Sequence, residues 1–219
     1  KDGKALVAYL EWDGETDRLI LARESDQGIE KVSQVVSKGV LHKPALAIDG
    51  KGTAWILWGE THKDTTVNLK ARSWSAEKGF GSPVAIADSD AAEAFVTAGT
   101  DSKGRVWASW QSFRAGEADV YARFLDLKSG KWSKEIAVAT QKGGDWEPSI
   151  AFDQEGHAWI VYDSSRGNEF NLNLARVNEQ GQVKEFAIAH SPKYEARASI
   201  TATAQGNGFW ITAERGKEK

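Results

Sequence analysis

Cysteine is absent from this chain of 219 residues, so neither a disulfide framework nor a thiolate metal site can form within it. The four histidines, His42, His62, His157 and His190, also lack the short spacing that is typical of zinc ligands. The sequence therefore predicts no bound cofactor and no zinc centre.

Clusters of basic residues and long apolar runs are missing too. The formal net charge is −3, and no run of Lys and Arg supplies the basic surface that binding to a phosphate backbone needs. No apolar stretch approaches the roughly 20 residues that cross a bilayer. We expect neither a nucleic-acid partner nor a membrane span.

Tryptophan, in contrast, is abundant, with ten copies against four tyrosines, and the excess comes from a repeat. Four stretches align with one another: AIDGKGTAWILWGE from Ala47, GTDSKGRVWASWQS from Gly99, AFDQEGHAWIVYDS from Ala151 and TATAQGNGFWITAE from Thr201. Their leading tryptophans, Trp55, Trp107, Trp159 and Trp210, are 52, 52 and 51 residues apart. A fifth copy, GKALVAYLEW, opens the chain with Leu6 at the Trp position.

Within each unit the residues alternate with a period of two, as Ala54, Ile56 and Trp58 do, which indicates β-strands. Turn signals divide each unit into four short strands, the pattern of an all-β, β-propeller fold with four-stranded antiparallel blades of about 50 residues. We expect one propeller domain over 1–219, with a partial blade at 1–40, blades at about 41–90, 91–142 and 143–192, and a partial blade at 193–219.

The two ends of the chain do not complete a ring in this reading. Three strands precede the first complete blade and two follow the last, a number that neither closes four blades nor fills five. We therefore expect a partial set of four to five blades from a larger propeller.

Two other residues recur with the tryptophan: an Arg after Ala on the third strand, and the Asp of a D-x-x-G turn. An Arg at one position of every blade is typical of a structural fixture, stacked on a blade Trp or paired with the turn Asp. The Asp accepts backbone N–H bonds in its own turn, and calcium at these turns is an alternative left open. The repeated residues are Trp55, Trp107, Trp159, Trp210, Arg23, Arg72, Arg123, Arg176, Asp49, Asp101 and Asp153.

The unit D-x-x-G-x-x-W-x-x-W, followed by S-x-x-R or S-x-R and an Ala-Arg strand, resembles the propeller repeats of large secreted bacterial proteins. These repeats are of a degenerate Asp-box type, distantly similar to sialidase propellers, and similar repeats stand ahead of PHP-type metal phosphoesterase-like domains. The stretches WASWQSFRAGEADVYARF (107–124) and WIVYDSSRGNEFNLNLAR (159–176) carry the resemblance. It implies a secreted or periplasmic bacterial protein in which any hydrolytic metal site lies outside this chain.

Residues that break the repeat at one end of the propeller channel are the candidates for function. There, aromatic rings suit stacking on a sugar, arginines suit hydroxyl or carboxylate groups, and Glu93, Glu147 and Glu195 are read as recurring at one position. The predicted ligand-binding residues at this channel mouth are Arg114, Arg166, Glu93, Glu147, Trp146, Tyr194, Glu195 and His62. The alternative is that the glutamates pair with arginines in solvated salt bridges of little energetic weight.

Three functions fit this pattern. The missing catalytic signature favours a non-catalytic binding or scaffold module of a larger secreted protein, whose partner is a polar small molecule or glycan, a flanking domain or a protein. The second is a sialidase-like or other propeller glycoside hydrolase, in which two rim carboxylates lie about 5–9 Å apart. The third is a protein-interaction ring, which requires a contiguous apolar patch on one face.

Overall fold

The computed structural model describes residues 3–61, 66–166 and 169–218, with only the backbone of 217 and 218. In this part of the chain 19 β-strands form five antiparallel sheets, which confirms the all-β prediction. Within the same residues, no helix has the length and apolar character that crossing a membrane requires.

The five sheets follow one another along the chain. Sheet 1 contains β1 (Leu6–Trp12), β2 (Asp17–Ser25) and β3 (Gly28–Gly39). Sheet 2 contains β4 (Leu41–Ile48), β5 (Ala54–Thr61), β6 (Val67–Ser75), β7 (Gly79–Phe80) and β8 (Val84–Ala87). Sheet 3 contains β9 (Glu93–Thr100), β10 (Val106–Ser112), β11 (Asp119–Asp126), β12 (Lys131–Trp132) and β13 (Ile136–Ala139). Sheet 4 contains β14 (Gly144–Phe152), β15 (Ala158–Ser165), β16 (Phe170–Val177) and β17 (Val183–Ala189), and sheet 5 contains β18 (Lys193–Ala202) and β19 (Phe209–Glu218).

Sheets 2 to 5 pack on one another through their inner strands, so that β4 contacts β9, β9 contacts β14 and β14 contacts β18, while β1 of sheet 1 contacts β4. A cluster of buried apolar side chains fills each of the four spaces between successive sheets. Among the described strands, β1 pairs only with β2 and β19 only with β18. Strand pairing therefore does not close this series of sheets into a ring within the described residues.

The W-x-x-W motif serves two of these clusters at once. Residues three apart on a strand project from opposite faces, and Trp107 accordingly packs between sheets 3 and 4 while Trp110 packs between sheets 2 and 3. Sheet 4 repeats the arrangement, because Trp159 faces sheet 5 and Tyr162 faces sheet 3. The motif is thus the element by which one strand joins two interfaces between sheets.

The turn Asp anchors the first tryptophan of its own sheet. In sheet 3 one oxygen of Asp101 accepts the backbone N–H groups of Lys103 and Arg105, while the other accepts the Trp107 indole N–H at 2.9 Å. Asp49 and Asp153 bind Trp55 and Trp159 in the same way, at 3.1 and 2.9 Å. The tight turn and the buried ring are therefore fixed by one carboxylate.

The fourth strand of sheets 2 and 3 differs from the prediction of one continuous strand. It is divided into β7 and β8 in sheet 2 and into β12 and β13 in sheet 3. The carbonyl groups of Gly81 and Ser133, in the two gaps, instead accept a guanidinium N–H from Arg72 and Arg123 at 2.8 and 2.7 Å. The Arg side chain takes the place of the missing ladder bond.

The sequence suggested that the arginines of the Ala-Arg pairs occupy one position in every sheet, but they do not. Arg72 and Arg123 lie opposite the residue after the leading Trp, whereas Arg176 lies opposite Trp159 itself. A register difference of one residue turns a side chain to the other face of the sheet. Arg72 and Arg123 therefore reach carbonyls of the preceding sheet, at Val35 and Ile86, by bonds of 2.7 and 2.6 Å.

Arg176 instead lies over the Trp159 ring, 5.9 Å from its centroid, and Arg23 of sheet 1 lies opposite Leu6 in the same register. Pairing of the arginine with the turn Asp does not occur at Arg72 or Arg123, because both guanidinium groups donate to backbone carbonyls. The turn carboxylates bind the indole nitrogens instead.

An ion pair between sheets 3 and 4 gives a pH-dependent contribution to stability. Hydrogen bonds from Lys103 and Arg105 lower the pKa of Glu179 from 4.5 to about 2. Because the pKa is lower in the folded state, the contribution is full above pH 4.5 and is lost as the pH falls toward 2. We expect Glu179→Gln to reduce the free energy of unfolding at neutral pH by about 0.5–1 kcal/mol, since the side chain is partly exposed.

Urea titrations across the acid range measure this difference between the wild type and the variant. The difference in the free energy of unfolding should decrease steadily below pH 4.5 and vanish near pH 2. Glu155→Gln is the control, because it removes the same charge from a glutamate that is 77% exposed at the same end of the molecule. A gap that stays constant with pH would contradict the assignment to the Glu179 carboxylate.

Candidate functional site

One end of the molecule brings together loops and strand starts from several sheets. We call it the upper end; it is the end at which the inner strands β4, β9, β14 and β18 begin. Contacts between neighbouring sheets are direct there, since the Asp145 N–H donates to the Ala118 carbonyl at 2.7 Å and the Gly143 N–H to Glu117 at 2.7 Å. The loops after the Trp strands and the segments before the inner strands therefore share this end.

The residues at the start of each inner strand occupy equivalent positions that strand register identifies. Glu93, Asp145 and Glu195 are equivalent, because they lie opposite Ser112, Ser164 and Arg215, each five residues after the leading Trp. Glu147 lies two residues further along its strand. The reading of Glu93, Glu147 and Glu195 as one recurring position was wrong, and Asp145 takes the place of Glu147 in that set.

The buried carboxylate of Glu93 is paired inside its own sheet. It accepts hydrogen bonds from Ser89 Oγ at 2.6 Å, from the Trp110 indole at 2.7 Å and from Arg114 at 2.7 Å. Arg114 also bonds Glu135 at 2.6 Å and lies 4.5 Å from the Tyr121 ring centroid. A ligand would have to break this network in order to bind either Glu93 or Arg114.

The same network recurs in sheets 4 and 5. Arg166 lies 3.2 Å from buried Asp145 and 2.8 Å from Glu185, which also accepts the Tyr162 hydroxyl. Burial raises the pKa of Asp145. Burial acts in the same direction on Glu185, but bonds from Arg166 and Tyr162 outweigh it and lower its pKa.

In sheet 5, Glu195 accepts Ser191 Oγ at 2.7 Å and lies 3.2 Å from Arg215. The structure thus places four of the predicted binding residues in ion pairs within a sheet. They are Glu93, Arg114, Arg166 and Glu195.

The residues two positions after Glu93, Asp145 and Glu195 have strained backbone conformations. Phe95, Glu147 and Arg197 have φ angles of 54°, 47° and 55°, the left-handed region that non-glycine residues seldom adopt. Each lies at a register shift in the pairing of its strand. Residues held this way cluster at ligand sites, and Glu147 is the more strained because Pro148 follows it.

Hydrogen bonds from the preceding sheet hold two of these residues in place. The Glu147 N–H donates to the side-chain carbonyl of Gln111 at 3.2 Å, and the Arg197 N–H donates to Asp163 at 2.7 Å. The pKa of Asp163 is raised, mainly by burial and also by the nearby charge of Glu147. Hydrogen bonds from two backbone N–H groups act in the opposite direction but do not outweigh these effects. Gln111 and Asp163 were not among the predicted site residues; both stand four residues after the leading Trp.

Three aromatic rings form a surface beside Glu147 and Arg197, which we call the aromatic platform: Trp146, Phe170 and Tyr194. The Trp146 and Phe170 rings are 5.8 Å apart and nearly parallel, and Phe170 and Tyr194 are 5.2 Å apart. Phe170 and Tyr194 remain 36% and 38% exposed. The sequence predicted Trp146 and Tyr194 but missed Phe170, which joins them.

Two other predictions remain, His62 and calcium at the D-x-x-G turns. His62 lies outside the described residues. At the opposite end, Asp153, Glu155 and His157 place one ligand atom each within 4.8 Å of one another, a group compatible with a cation. His157 Nδ1 is also 2.9 Å from Asp153, which already binds its turn and Trp159.

No family model matches the chain, and no curated protein has a matching sequence. Solved structures do share its fold. An α-L-arabinanase from Penicillium chrysogenum, solved with arabinobiose, superposes with a TM-score of 0.69 over 96% of this chain and 72% of its own, at 12% identity. An α-L-arabinofuranosidase from Fusarium graminearum, in complex with an iminosugar inhibitor, gives 0.67 over 97% and 72% at 16% identity.

A Hadza microbial sialidase gives a TM-score of 0.65 at 13% identity, over 92% of this chain and 48% of its own. These proteins are β-propeller hydrolases. At such identities the likeness establishes the fold alone.

Proposed function

We propose that this chain binds carbohydrate at the upper end, on the aromatic platform and the polar groups next to it. The observation that carries the proposal is the platform itself, three contacting rings of which two are more than one third exposed. The flat faces of such rings pack well on the apolar faces of sugars, while neighbouring polar groups bind the hydroxyls.

The polar groups at hand suit that role. The hydrogen bond and the charge of Glu214 raise the pKa of the exposed Arg197, and Glu147 and Tyr194 lie close enough to add to this effect. A guanidinium donates to hydroxyl oxygens and a carboxylate accepts from hydroxyl groups. The sugar-bound hydrolases that share the fold support the same class of ligand. A secreted or periplasmic location, where polymeric glycans occur, is part of this proposal.

Alanine substitutions in the platform test the proposal. We expect Tyr194→Ala or Phe170→Ala to weaken binding to a glycan about tenfold, because an aromatic contact contributes on the order of 1–1.5 kcal/mol. Affinity electrophoresis through arabinan, xylan and galactan, followed by calorimetry with the best oligosaccharide, measures the loss. Trp210→Ala is the control, since this ring is exposed at the opposite end.

Equal binding by both platform variants and the wild type would contradict the proposal. A thermal melt of each variant checks that the fold is intact, which is expected because both rings are partly exposed.

Hydrolysis is a second candidate, favoured by two carboxyl groups in unlike surroundings at the same end. Glu147 is partly exposed, while Asp163 is buried with a raised pKa, and such pairs divide into base and acid in many glycosidases. Incubating the wild type with arabinan, xylan and galactan and assaying newly formed reducing ends tests for hydrolysis. Release that is lost in Glu147→Gln would support catalysis, and its absence in the wild type would leave binding alone.

A further inference from the structure

The arginines at the upper end are all engaged with carboxylates. Five arginines lie at this end in the described part of the chain. Their partners are Asp13 for Arg18, Glu93 and Glu135 for Arg114, Asp145 and Glu185 for Arg166, Glu214 for Arg197, and Glu195 for Arg215. The guanidinium groups there are already charge-neutralised.

This pairing bears on which glycans the site can accept. A sugar carboxylate is recognised best by the two parallel N–H groups of a guanidinium. At Arg114 and Arg166, binding an anionic sugar would separate the guanidinium from a carboxylate that is fully buried, at 0% exposure, and would leave that carboxylate uncompensated. The free-energy cost of leaving a buried carboxylate unpaired would cancel the gain from binding the sugar carboxylate.

Carboxylates also adjoin the platform residues in the sequence, while the exposed Arg197 beside them is already paired with Glu214. Glu147 follows Trp146 directly, and Glu169, which is exposed, precedes Phe170. Lys142 and Lys193 lie on the adjacent segments, but an ammonium is a point charge without the two-pronged geometry that fits a carboxylate. Like charges brought together on binding repel each other, so an anionic sugar is disfavoured beside Glu147 and Glu169.

We infer that the platform site selects neutral glycans and rejects those that carry carboxylates, such as uronates and sialic acids. The inference rests on the proposed function and adds the class of ligand. It also separates this chain from the sialidase that shares its fold, because sialic acid bears a carboxylate.

Binding to matched glycans tests this selectivity. The wild type is compared on neutral arabinan, xylan and galactan, and on polygalacturonate, alginate and sialyllactose, at low and high salt. A bound xylan oligosaccharide is then compared with the same oligosaccharide carrying one glucuronic acid. We expect binding to neutral glycans only, and at least about tenfold weaker binding once the uronate is added.

Glu214→Gln provides the gain-of-function variant, because it frees Arg197 from an exposed pair. We expect it to bind the uronate-bearing oligosaccharide about tenfold more tightly than the wild type does, at low salt. Glu11→Gln, which removes the same charge from a Lys31 pair on sheet 1, is the control and should change nothing.

The possible results separate the two ideas. Binding to acidic glycans as tight as to neutral ones, or no gain in Glu214→Gln, would overturn the selectivity while carbohydrate binding stands. Binding to neither class of glycan would overturn the proposed function and the selectivity with it.

Discussion

Replacing Trp107 with alanine should lower the free energy of unfolding by about 3–5 kcal/mol, whereas the same change at Trp210 should lower it by less than about 0.5 kcal/mol. Both residues are the leading tryptophan of a repeat. Trp107 is fully buried between sheets 3 and 4, with Phe124 at 4.9 Å and Phe152 at 6.3 Å between ring centroids. Trp210 is 70% exposed. Equivalent positions therefore differ because of the sheet that lies against them.

The turn residue strengthens the contrast. The Trp107 indole donates to Asp101, so its loss also removes a buried hydrogen bond. The fourth repeat has Thr203 where the others have Asp, and its turn bonds to Asn207 instead of the ring. Trp107→Phe keeps most of the buried area and should cost only about 1–2 kcal/mol.

Urea unfolding followed by circular dichroism measures these differences without relying on tryptophan fluorescence. Equal losses for Trp107→Ala and Trp210→Ala would mean that Trp210 is buried in solution. That result would contradict its exposure in sheet 5.

The strands and their repetition could be predicted from the sequence because both depend on local patterns. Alternation of apolar residues determines which side chains share a face, and Asp and Gly mark the turns. The register between strands is not local in this sense. The Ala-Arg pair looks identical in every unit, yet Arg123 and Arg176 project from opposite faces because their strands are offset by one residue.

The site could be predicted in part. Trp146 and Tyr194 were found because they break the repeat next to inner strands. Glu147 was assigned to the wrong position, although counting eight residues back from the turn Asp aligns Asp145 with Glu93. Phe170 was missed because its contacts join segments that are remote in sequence: the pairing of strands within sheet 4 brings it to Trp146, and packing of sheet 4 against sheet 5 brings it to Tyr194.

The strained residues were also beyond sequence reasoning. The residue types at Phe95, Glu147 and Arg197 do not predict a positive φ, since none is Gly, Asn or Asp. Each lies at a register shift in the pairing of its strand, and Gln111 and Asp163 of the neighbouring sheet accept from the N–H groups of Glu147 and Arg197. Such shifts depend on the pairing between strands, which the residues of one strand do not specify.

Removing Arg114 should destabilise the fold by about 3 kcal/mol, because the substitution leaves the fully buried Glu93 without its cation. Arg197→Ala should cost no more than about 1 kcal/mol, since Arg197 and Glu214 are 61% and 58% exposed and their attraction is screened by water. Both arginines lie at the upper end, yet their expected contributions to stability differ because only Arg114 pairs with a buried carboxylate.

The double variant Glu93→Gln with Arg114→Ala separates charge from packing. In this variant the amide oxygen can accept from the Trp110 indole while the amide NH2 donates to Ser89 Oγ, and no buried charge remains to be compensated. We therefore expect it to recover more than half of the stability that Arg114→Ala loses, which is a coupling energy that a double-mutant cycle measures. If the double variant is instead less stable than Arg114→Ala, the guanidinium contributes through its contact with the Tyr121 ring, and the ion pair is not the main cause.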